Sequence, residues 1–343
     1  MNIMQLFEVL FITVFISYLI TPLIRQIAFK TGYLDNPSST KVHAHPIPLL
    51  GGIVVYSAFF IAAITTSLKH IPQIYYIFIG CTILLVIGLV DDKFGMMPNI
   101  KLLGQFLAAL IVIKAGIRTS FMKSYYVDVI VSYIWIIGIT NAFNLLDNMN
   151  GLSSGIAVIS SLSFGIMCLL DGQINMAGLS FALAGSCLGF LRHNFPKAKI
   201  FLGDSGSLLI GYILAILSIK SSWQIYSINS SLFVPLVVLS YPIFDTSFVT
   251  IMRLMEGRTI FQGGRDHSSH RLALTGLKKF RAVLVIYFIC AVMGLLGIIV
   301  TKSNIYSGVI IGILVLMFFL IFGIRLSFVR TYQHGHRKKN NAE

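Results

Sequence analysis

Charged residues are scarce in this chain of 343 residues: they make up 11% of it, and only 12 are Asp or Glu. Soluble proteins average about 25% charged residues. Hydrophobic residues reach 56%, and apolar stretches of roughly 16–20 residues, suited to membrane helices, recur along almost the whole length. The composition excludes an ordinary soluble fold. It predicts an all-α, polytopic membrane protein with a single integral domain over 1–343.

Cysteine is also rare, and its spacing carries no signature of a metal site or a disulfide framework. The four cysteines lie inside apolar segments, without a CxxC or Cys/His pattern. Cysteines of this kind behave as small buried hydrophobes. Neither disulfides nor zinc are expected from Cys81, Cys168, Cys187 and Cys290.

The apolar stretches predict about ten to eleven membrane helices. The first is preceded by no Lys or Arg and is followed by Arg25 and Lys30. That order is the reverse of a cleaved signal peptide, so this helix is expected to be retained with its N-terminus outside. The predicted segments are 6–24, 50–67, 73–90, 99–115, 125–143, 153–170, 176–192, 207–222, 231–251, 280–300 and 306–326.

The formal net charge is +14, which raises the question of nucleic acid. Basic residues of membrane proteins concentrate in cytoplasmic loops, however, and the predicted topology puts about 20 Lys and Arg on one side and about 6 on the other. The charge is therefore topological, and no nucleic-acid partner is expected. The basic side is assigned to the cytoplasm, together with the C-terminus and a basic tail over 327–343.

Four carboxylates lie at the predicted cytoplasmic ends of three separate helices: Asp91, Asp92, Asp147 and Asp204. An unpaired charge at a membrane is costly, so a cation is expected between them. Oxygen ligands without neighbouring Cys or His favour Mg²⁺, or Mn²⁺, over zinc.

The segment 141–151 places an amide or carboxylate at every third position, at Asn141, Asn144, Asp147 and Asn150. On a helical turn this spacing stacks them as one polar ridge. Such a ridge can ligate a metal and present donors and acceptors to a base or a sugar. Simple capping of the adjoining helix ends is the alternative.

The string from Phe201 to Ser207 contains Asp204 and precedes an apolar helix. The backbone N–H groups and the positive end of the helix dipole would then lie beside Asp204, a setting that suits a metal-bound diphosphate. The letters GDSGS also resemble a serine hydrolase string, but no acid–base pair for Ser205 is evident.

The loop before the last two predicted helices groups two arginines and two histidines: Arg265, His267, His270 and Arg271. Arginine binds phosphate oxygens bidentately, so this loop can neutralise a diphosphate. Taken alone, it would also fit ordinary positive-inside charge. Lys101 and the early loop that begins at Lys41 supply further cations.

Together these strings resemble the polyprenyl-phosphate N-acetylhexosamine-1-phosphate transferases. That family includes the enzymes that start teichoic acid, O-antigen and enterobacterial common antigen synthesis, and the phospho-N-acetylmuramoyl-pentapeptide transferases. The resemblance spans nearly the whole chain. Its pieces are KVHxxPIPLLGG at 41–52, GLVDDKFG at 88–95, KLLGQ at 101–105, NAFNLLDNMNGL at 141–152, FLGDSGSL at 201–208 and RDHSSHRL at 265–272.

The resemblance implies transfer of a HexNAc 1-phosphate, with UDP-GlcNAc as first choice of donor, to polyprenyl (undecaprenyl) phosphate at the cytoplasmic face of the plasma membrane. It implies Mg²⁺ on Asp204 and Asn144, and it places Asp91, a candidate base, and Asp92 near the lipid phosphate. The expected catalytic set is Asp91, Asp92, Asp204, His267 and His270. The expected substrate-binding set is Lys41, Lys101, Asn141, Asp147, Asn150, Asn194, Phe201, Arg265 and Arg271, with Asp147, Asn150 and Phe201 at the uridine and Lys101, His267, His270 and Arg271 at the diphosphate.

Two departures from the family pattern leave the donor sugar open. Many members have Asp-Gly-x-Asp-Gly where this chain has Asp147-Asn-Met-Asn150-Gly, and Ser269 replaces a frequent His. A pentapeptide transferase is the same-class rival, and a transporter or lipid flippase is the rival of another class. The second rival needs ionisable residues near the bilayer midplane; Asp245 comes nearest and is interpreted as structural, bonded to neighbouring helices. A homodimer is left open.

Overall fold

The computed structural model of the chain describes residues 3–37, 45–122, 124–223, 230–260 and 264–329. Helices dominate the described residues, which confirms the all-α prediction. They are α1 (Ile3–Thr31), α2 (Gly51–Thr65), α3 (Ile74–Phe94), α4 (Pro98–Lys114), α5 (Tyr125–Leu146), α6 (Leu152–Leu170), α7 (Ile174–Asn194), α8 (Gly203–Ser218), α9 (Val234–Val238), α10 (Ser240–Met255), α11 (Ser268–Leu274), α12 (Lys279–Thr301) and α13 (Ile305–Ser327).

Eight helices of the described chain are long and apolar enough to cross a membrane. They are α1, α3, α5, α6, α7, the segment Gly203–Ser221 that begins as α8, α12 and α13. The chain is thus a multi-pass membrane protein. Of the ten to eleven predicted spans, eight meet this length within the described residues.

The other three predicted segments form shorter or divided helices. At a rise of about 1.5 Å per residue, α2 with 15 residues and α4 with 17 are at the short end of what crosses a hydrocarbon core of roughly 30 Å. The segment 231–251 divides at Leu239 into α9 and α10. Pro242 has no N–H to donate to Val238, so a continuous helix is disfavoured there, whereas proline is tolerated in the first turn of a new helix.

Helix α8 is the centre of the bundle. Every residue from Gly203 to Ser218 is buried except Asp204. It packs against α2, α3, α5, α6 and α7. A helix that is apolar all round must be enclosed by protein or lipid, so the buried position of α8 follows from its sequence. Asp204 marks the polar end of this helix.

Two glycines let α2 and α3 approach the first turn of α8. A Cβ at Gly52 would lie 2.5 Å from the carbonyl carbon of Ser205, and a Cβ at Gly88 would overlap the backbone N and Cα of Ser205. Small residues are what allow helix backbones to come this close in membrane proteins. Gly52 of the motif at 41–52 and Gly88 of the motif at 88–95 therefore serve helix packing, a role that the sequence did not predict.

Two short strands depart from the all-helical pattern. β1 (Leu34–Asp35) and β2 (Ile47–Pro48) pair antiparallel, with Leu34 opposite Pro48. Phe201 N–H donates to the Pro48 carbonyl at 2.7 Å, and the Phe201 carbonyl accepts from Gly51 N–H at 3.1 Å. These bonds join β2 and the start of α2 to the segment that leads into α8.

Candidate active site

One lysine bridges two of the predicted carboxylates. The Nζ of Lys101, in the first turn of α4, lies 2.6 Å from Asp91 Oδ2 and 2.6 Å from Asp204 Oδ2. The other oxygen of Asp91 accepts the Met96 N–H at 2.6 Å. The end of α3, the start of α4 and the start of α8 therefore meet at a single charged cluster, as the sequence predicted for Asp91 and Asp204.

Asp92 differs from its neighbour Asp91 because it caps α8. Its two carboxylate oxygens accept the N–H groups of Asp204 at 2.7 Å and Ser205 at 3.2 Å. A carboxylate is stabilising at a helix N-terminus because it accepts unpaired N–H groups and faces the positive end of the dipole. The expectation that these N–H groups would be available to a diphosphate is therefore corrected for residues 204 and 205, since Asp92 already binds them.

Ser205 cannot serve as a nucleophile in this arrangement. The residue is fully buried, and the backbones of Gly52 and Gly88 close on it from α2 and α3. The packing around Ser205 thus excludes the serine hydrolase role that the letters GDSGS suggested.

The polar ridge at the end of α5 faces two neighbours. Asn141 and Gln105 of α4 exchange amide hydrogen bonds of 2.5 and 3.1 Å. One turn later, Asn144 Nδ2 donates to Ser207 Oγ at 3.0 Å. Asn144 is therefore held one turn along α8 from Asp204, the residue with which it was predicted to share a metal.

Asp147, just past the end of α5, lies near the carboxylates of Asp204 and Asp92. Burial raises its pKa well above the ordinary value, and the negative charges of Asp204 and Asp92 raise it further. Among the described residues, no hydrogen bond or ion pair to this carboxylate is found. A cation is the partner that this group requires in order to be ionised.

A metal ion in this region would need ligands other than acidic, His and Cys side chains. Nowhere in the described residues do three or more His, Cys, Asp or Glu side chains converge as a group that could hold a metal. The candidate set of Asp204 with Asn144 contains an amide. Lys101 Nζ is the cation that the structure places against Asp204.

Asn194 and Asn150 are engaged in shaping the loops around the cluster. Asn194 is buried; its Oδ1 accepts Gly151 N–H at 2.8 Å and its Nδ2 donates to the Ile200 carbonyl at 2.9 Å. Asn150 Nδ2 donates to the Pro196 carbonyl at 3.3 Å. Asn194 thus fixes the turn at Gly151, and its predicted contact with substrate remains a prediction.

The late loop is anchored by a buried ion pair. Arg253, on α10, donates to both oxygens of Asp266 at 2.9 and 3.0 Å, and Arg258 adds a bond of 2.6 Å. Burial alone would raise the pKa of Asp266, but the bonds and charges of these arginines hold it at about 2. The anchor is therefore ionised at neutral pH.

Arg271 is committed to the same anchor rather than to the carboxylate cluster. Its guanidinium is buried and donates to the Asp266 carbonyl at 3.1 Å and to the Val329 carbonyl at 2.8 Å. These contacts tie α11 to the end of α13. In this conformation Arg271 holds the loop, and its predicted contact with the diphosphate stays a prediction.

The two histidines of the late loop differ in their surroundings. His267 Nδ1 lies 2.8 Å from Asp245 Oδ2. Burial lowers the pKa of His270 to about 4, and the charges of His267, Lys279 and Arg265 act in the same direction. His270 is thus a neutral imidazole at pH 7, and Arg265 lies exposed nearby. Lys41 lies outside the described residues.

The late loop also touches the Asp147 segment. Ser269 Oγ donates to Asn148 Oδ1 at 2.6 Å. Asn148 and Ser269 are both positions at which the chain departs from the family pattern, and here they contact each other. This bond places α11 beside the turn that carries Asp147.

Two functional contacts were missed from the sequence: Gln105 supports Asn141, and Asp266 is an anchor. Asp245 bonds Ser268 at the start of α11, a neighbouring helix, as expected. For Asp245 a signal existed, since an ionisable residue in an apolar segment is costly unless it has a partner. Its partner could not be read from spacing, because 22 residues separate it from His267.

Comparison with known proteins finds relatives that match most of the chain. The model of glycosyl transferase family 4 matches residues 74–222. A Bacillus subtilis (strain 168) protein named probable undecaprenyl-phosphate N-acetylglucosaminyl 1-phosphate transferase is 32% identical, over 88% of this chain and 87% of its own length.

Two further relatives carry similar names. The decaprenyl-phosphate N-acetylglucosaminephosphotransferase of Mycobacterium tuberculosis (strain CDC 1551 / Oshkosh) is 30% identical over 79% of this chain and 76% of its own. The undecaprenyl-phosphate alpha-N-acetylglucosaminyl 1-phosphate transferase of Escherichia coli O157:H7 is 26% identical over 92% and 88%.

Proposed function

The chain belongs to the polyprenyl-phosphate N-acetylhexosamine-1-phosphate transferases of glycosyl transferase family 4, and from that premise we propose that it transfers GlcNAc 1-phosphate from UDP-GlcNAc to a polyprenyl phosphate and releases UMP. One observation carries the proposal: Asp91, Lys101 and Asp204, from three separate helices, meet within 2.6 Å contacts at one end of the bundle. A transporter would be expected to place its ionisable groups near the midplane instead.

The reaction brings two anions together. An oxygen of the lipid phosphate attacks the β-phosphorus of the UDP-sugar, the bond from that phosphorus to the bridging oxygen breaks, and UMP leaves with that oxygen. Cations lower the repulsion in such a transfer. Lys101 stands between Asp91 and Asp204 and is the chain's own cation at the point of attack; Arg265, exposed beside His270, is suited to approach the diphosphate.

Asp91 is assigned a positioning role and not that of a general base. Both of its oxygens are already bound, by Lys101 Nζ and by Met96 N–H. A phosphate monoester with a second pKa near 6 is largely ionised at pH 7, so the acceptor needs no strong base. We assign to Asp91 the positioning of Lys101 and of the acceptor phosphate.

Mg²⁺ fits the donor set. Asp204 and Asn144 would hold the ion with hard oxygen donors, since Asn144 is bonded through its Nδ2 to Ser207, three residues after Asp204. The carboxylate of Asp147, which has no partner among the described residues, lies close enough to feel the charge of Asp204. When bound, the ion would neutralise charge on the diphosphate. Asp147, Asn150 and Phe201 are assigned to the uridine.

The active site is assigned to the cytoplasmic face of the plasma membrane. The loops that form it carry most of the chain's Lys and Arg, and such loops are retained inside. The N-terminus would then lie outside and the C-terminus inside.

The function is tested by measuring UMP release from purified protein with polyprenyl phosphate, with and without Mg²⁺, for a panel of UDP-sugars. UDP-GlcNAc is expected to give the fastest release, and EDTA is expected to abolish it because the donor diphosphate then keeps its full charge. UDP-N-acetylmuramoyl-pentapeptide is the essential comparison donor. Faster turnover of that donor would replace the proposal by a pentapeptide transferase.

The bond between Ser269 and Asn148 is expected to help close the donor site. Ser269→Ala should raise the KM for UDP-GlcNAc about three- to tenfold, since one such hydrogen bond is worth about 0.5–1.5 kcal/mol. Steady-state kinetics in detergent measure this change.

Ser180→Ala is the matched control. The Ser180 hydroxyl is buried too but bonds the Met176 carbonyl of its own helix, so its loss should leave KM unchanged. Equal KM values for both variants and the wild type would rule out a role of the Ser269–Asn148 bond in donor binding.

A further inference from the structure

Asp245 is a fully buried carboxylate that the proposed reaction does not yet use. It lies on α10 with 1% of its surface exposed. Its Oδ2 is 2.8 Å from His267 Nδ1, and its Oδ1 accepts the N–H and the Oγ of Ser268 at 2.8 and 2.5 Å. Burying an ionisable group so completely is costly unless hydrogen bonds and a countercharge compensate for lost water, and all of these partners lie at the start of α11.

The two oxygens of Asp245 bind different groups. Oδ1 binds Ser268, which begins α11, and the Ser268 hydroxyl is also 2.9 Å from Tyr241 Oη. Oδ2 binds the imidazole. With Nδ1 engaged by a carboxylate, the plane of the ring is fixed and Nε2 is the nitrogen left to meet another molecule. The described residues give Nε2 no hydrogen-bond partner.

Holding α11 in place does not require the bond between Asp245 and His267. Ser269 bonds Asn148, Arg271 bonds the Val329 carbonyl, and the residue before His267 is the anchored Asp266. These contacts fix the backbone on both sides of His267. The remaining degree of freedom is the orientation of the imidazole, and Oδ2 of Asp245 controls it.

The start of α11 lies beside the turn that carries Asp147. His267 is two residues from Ser269, whose hydroxyl donates to Asn148, the residue after Asp147. We propose that Asp245 is a positioning residue of the transferase, whose carboxylate orients the His267 imidazole toward the diphosphate of the UDP-sugar donor. This inference rests on the proposed function and adds to it a residue that acts through another.

A double-mutant cycle with Asp245→Asn and His267→Gln tests the coupling. Each single variant is expected to lower kcat about a hundredfold with less than about a threefold change in KM, because misorientation of a catalytic group costs about that much. The double variant should be no slower than His267→Gln alone, since asparagine keeps an oxygen to accept the Ser268 bonds and the substitution therefore acts through the imidazole. If the two losses multiply instead, Asp245 does not act through His267 and the inference is wrong.

Thr250→Val is the control on the same helix. Its hydroxyl bonds the Thr246 carbonyl of α10, so kcat should stay close to that of the wild type. If the wild-type protein releases no UMP with any donor, the proposed function is wrong. If the wild type turns over normally but the losses in kcat of the two single variants multiply in the double variant, only the role of Asp245 is wrong.

A measurement on the unaltered protein covers the case in which Asp245→Asn does not fold. ¹⁵N-histidine spectra of the protein in detergent, with the signal of His267 assigned by its loss in His267→Gln, should show Nδ1 protonated and strongly hydrogen-bonded. A ring protonated at Nε2 alone would overturn the inference without any variant of Asp245.

Discussion

Replacing Asp204 by Asn is expected to lower UMP release about a thousandfold or more while the protein stays folded. The carboxylate pairs with Lys101 at 2.6 Å and is the only residue of the first α8 turns left unburied. An amide of the same shape keeps the packing but removes the negative charge that holds Lys101 and, in the proposed site, Mg²⁺. Mg²⁺-dependent turnover of UDP-GlcNAc and the thermal unfolding midpoint in detergent measure the two effects.

Asp171→Asn is the matched control for this change. Asp171 lies at the other end of the bundle, past the end of α6, and pairs with the exposed Lys302 at 2.7 Å. Surface pairs contribute little, so both activity and unfolding midpoint should be unchanged. Near-normal turnover of Asp204→Asn would reject the assignment of Asp204 to the metal and to the reacting phosphates.

Gly88→Ala is expected to abolish most of the activity without touching any charged group. Gly88 lies one turn before Asp91 on α3, and an added Cβ would overlap the backbone of Ser205 and lie 2.7 Å from the carbonyl carbon of Asp204. A backbone cannot turn aside as a side chain can, so α3 and α8 must separate. Overpacking of this kind costs about 1–3 kcal/mol, and a displacement of reacting groups by about 1 Å can cost roughly a hundredfold in rate.

Gly138→Ala, on α5, makes the same substitution where nothing lies within 4 Å of the new Cβ. It should leave the rate of UMP release and the unfolding midpoint at or above wild-type values, as alanine favours helix. UMP release and thermal unfolding of the two variants are compared side by side. If Gly88→Ala matched Gly138→Ala in both, the close approach of α3 to α8 would not be what positions Asp91 and Asp204.

The sequence alone determined the class of the protein and the chemistry it carries. Hydrophobicity is a property of each segment by itself, so membrane helices such as α12 and α13 are evident before any packing is known. The reaction class was also predictable, because six strings in a fixed order resemble one family and relatives along most of the chain confirm that family. The lengths of α2 and α4, 15 and 17 residues, were not evident, since apolar character does not reveal where a helix ends.

Only the tertiary structure decided which polar groups meet. Asp91 and Asp92 are adjacent in sequence and looked alike, yet one pairs with Lys101 and the other caps α8. Arg271, which was predicted to contact the diphosphate, donates in this structure to a carbonyl group just past α13. Asp245 bonds His267, 22 residues further along the chain. Such pairings depend on which faces of distant helices come together, and that is set by the summed packing of the whole bundle, which no local stretch of residues contains.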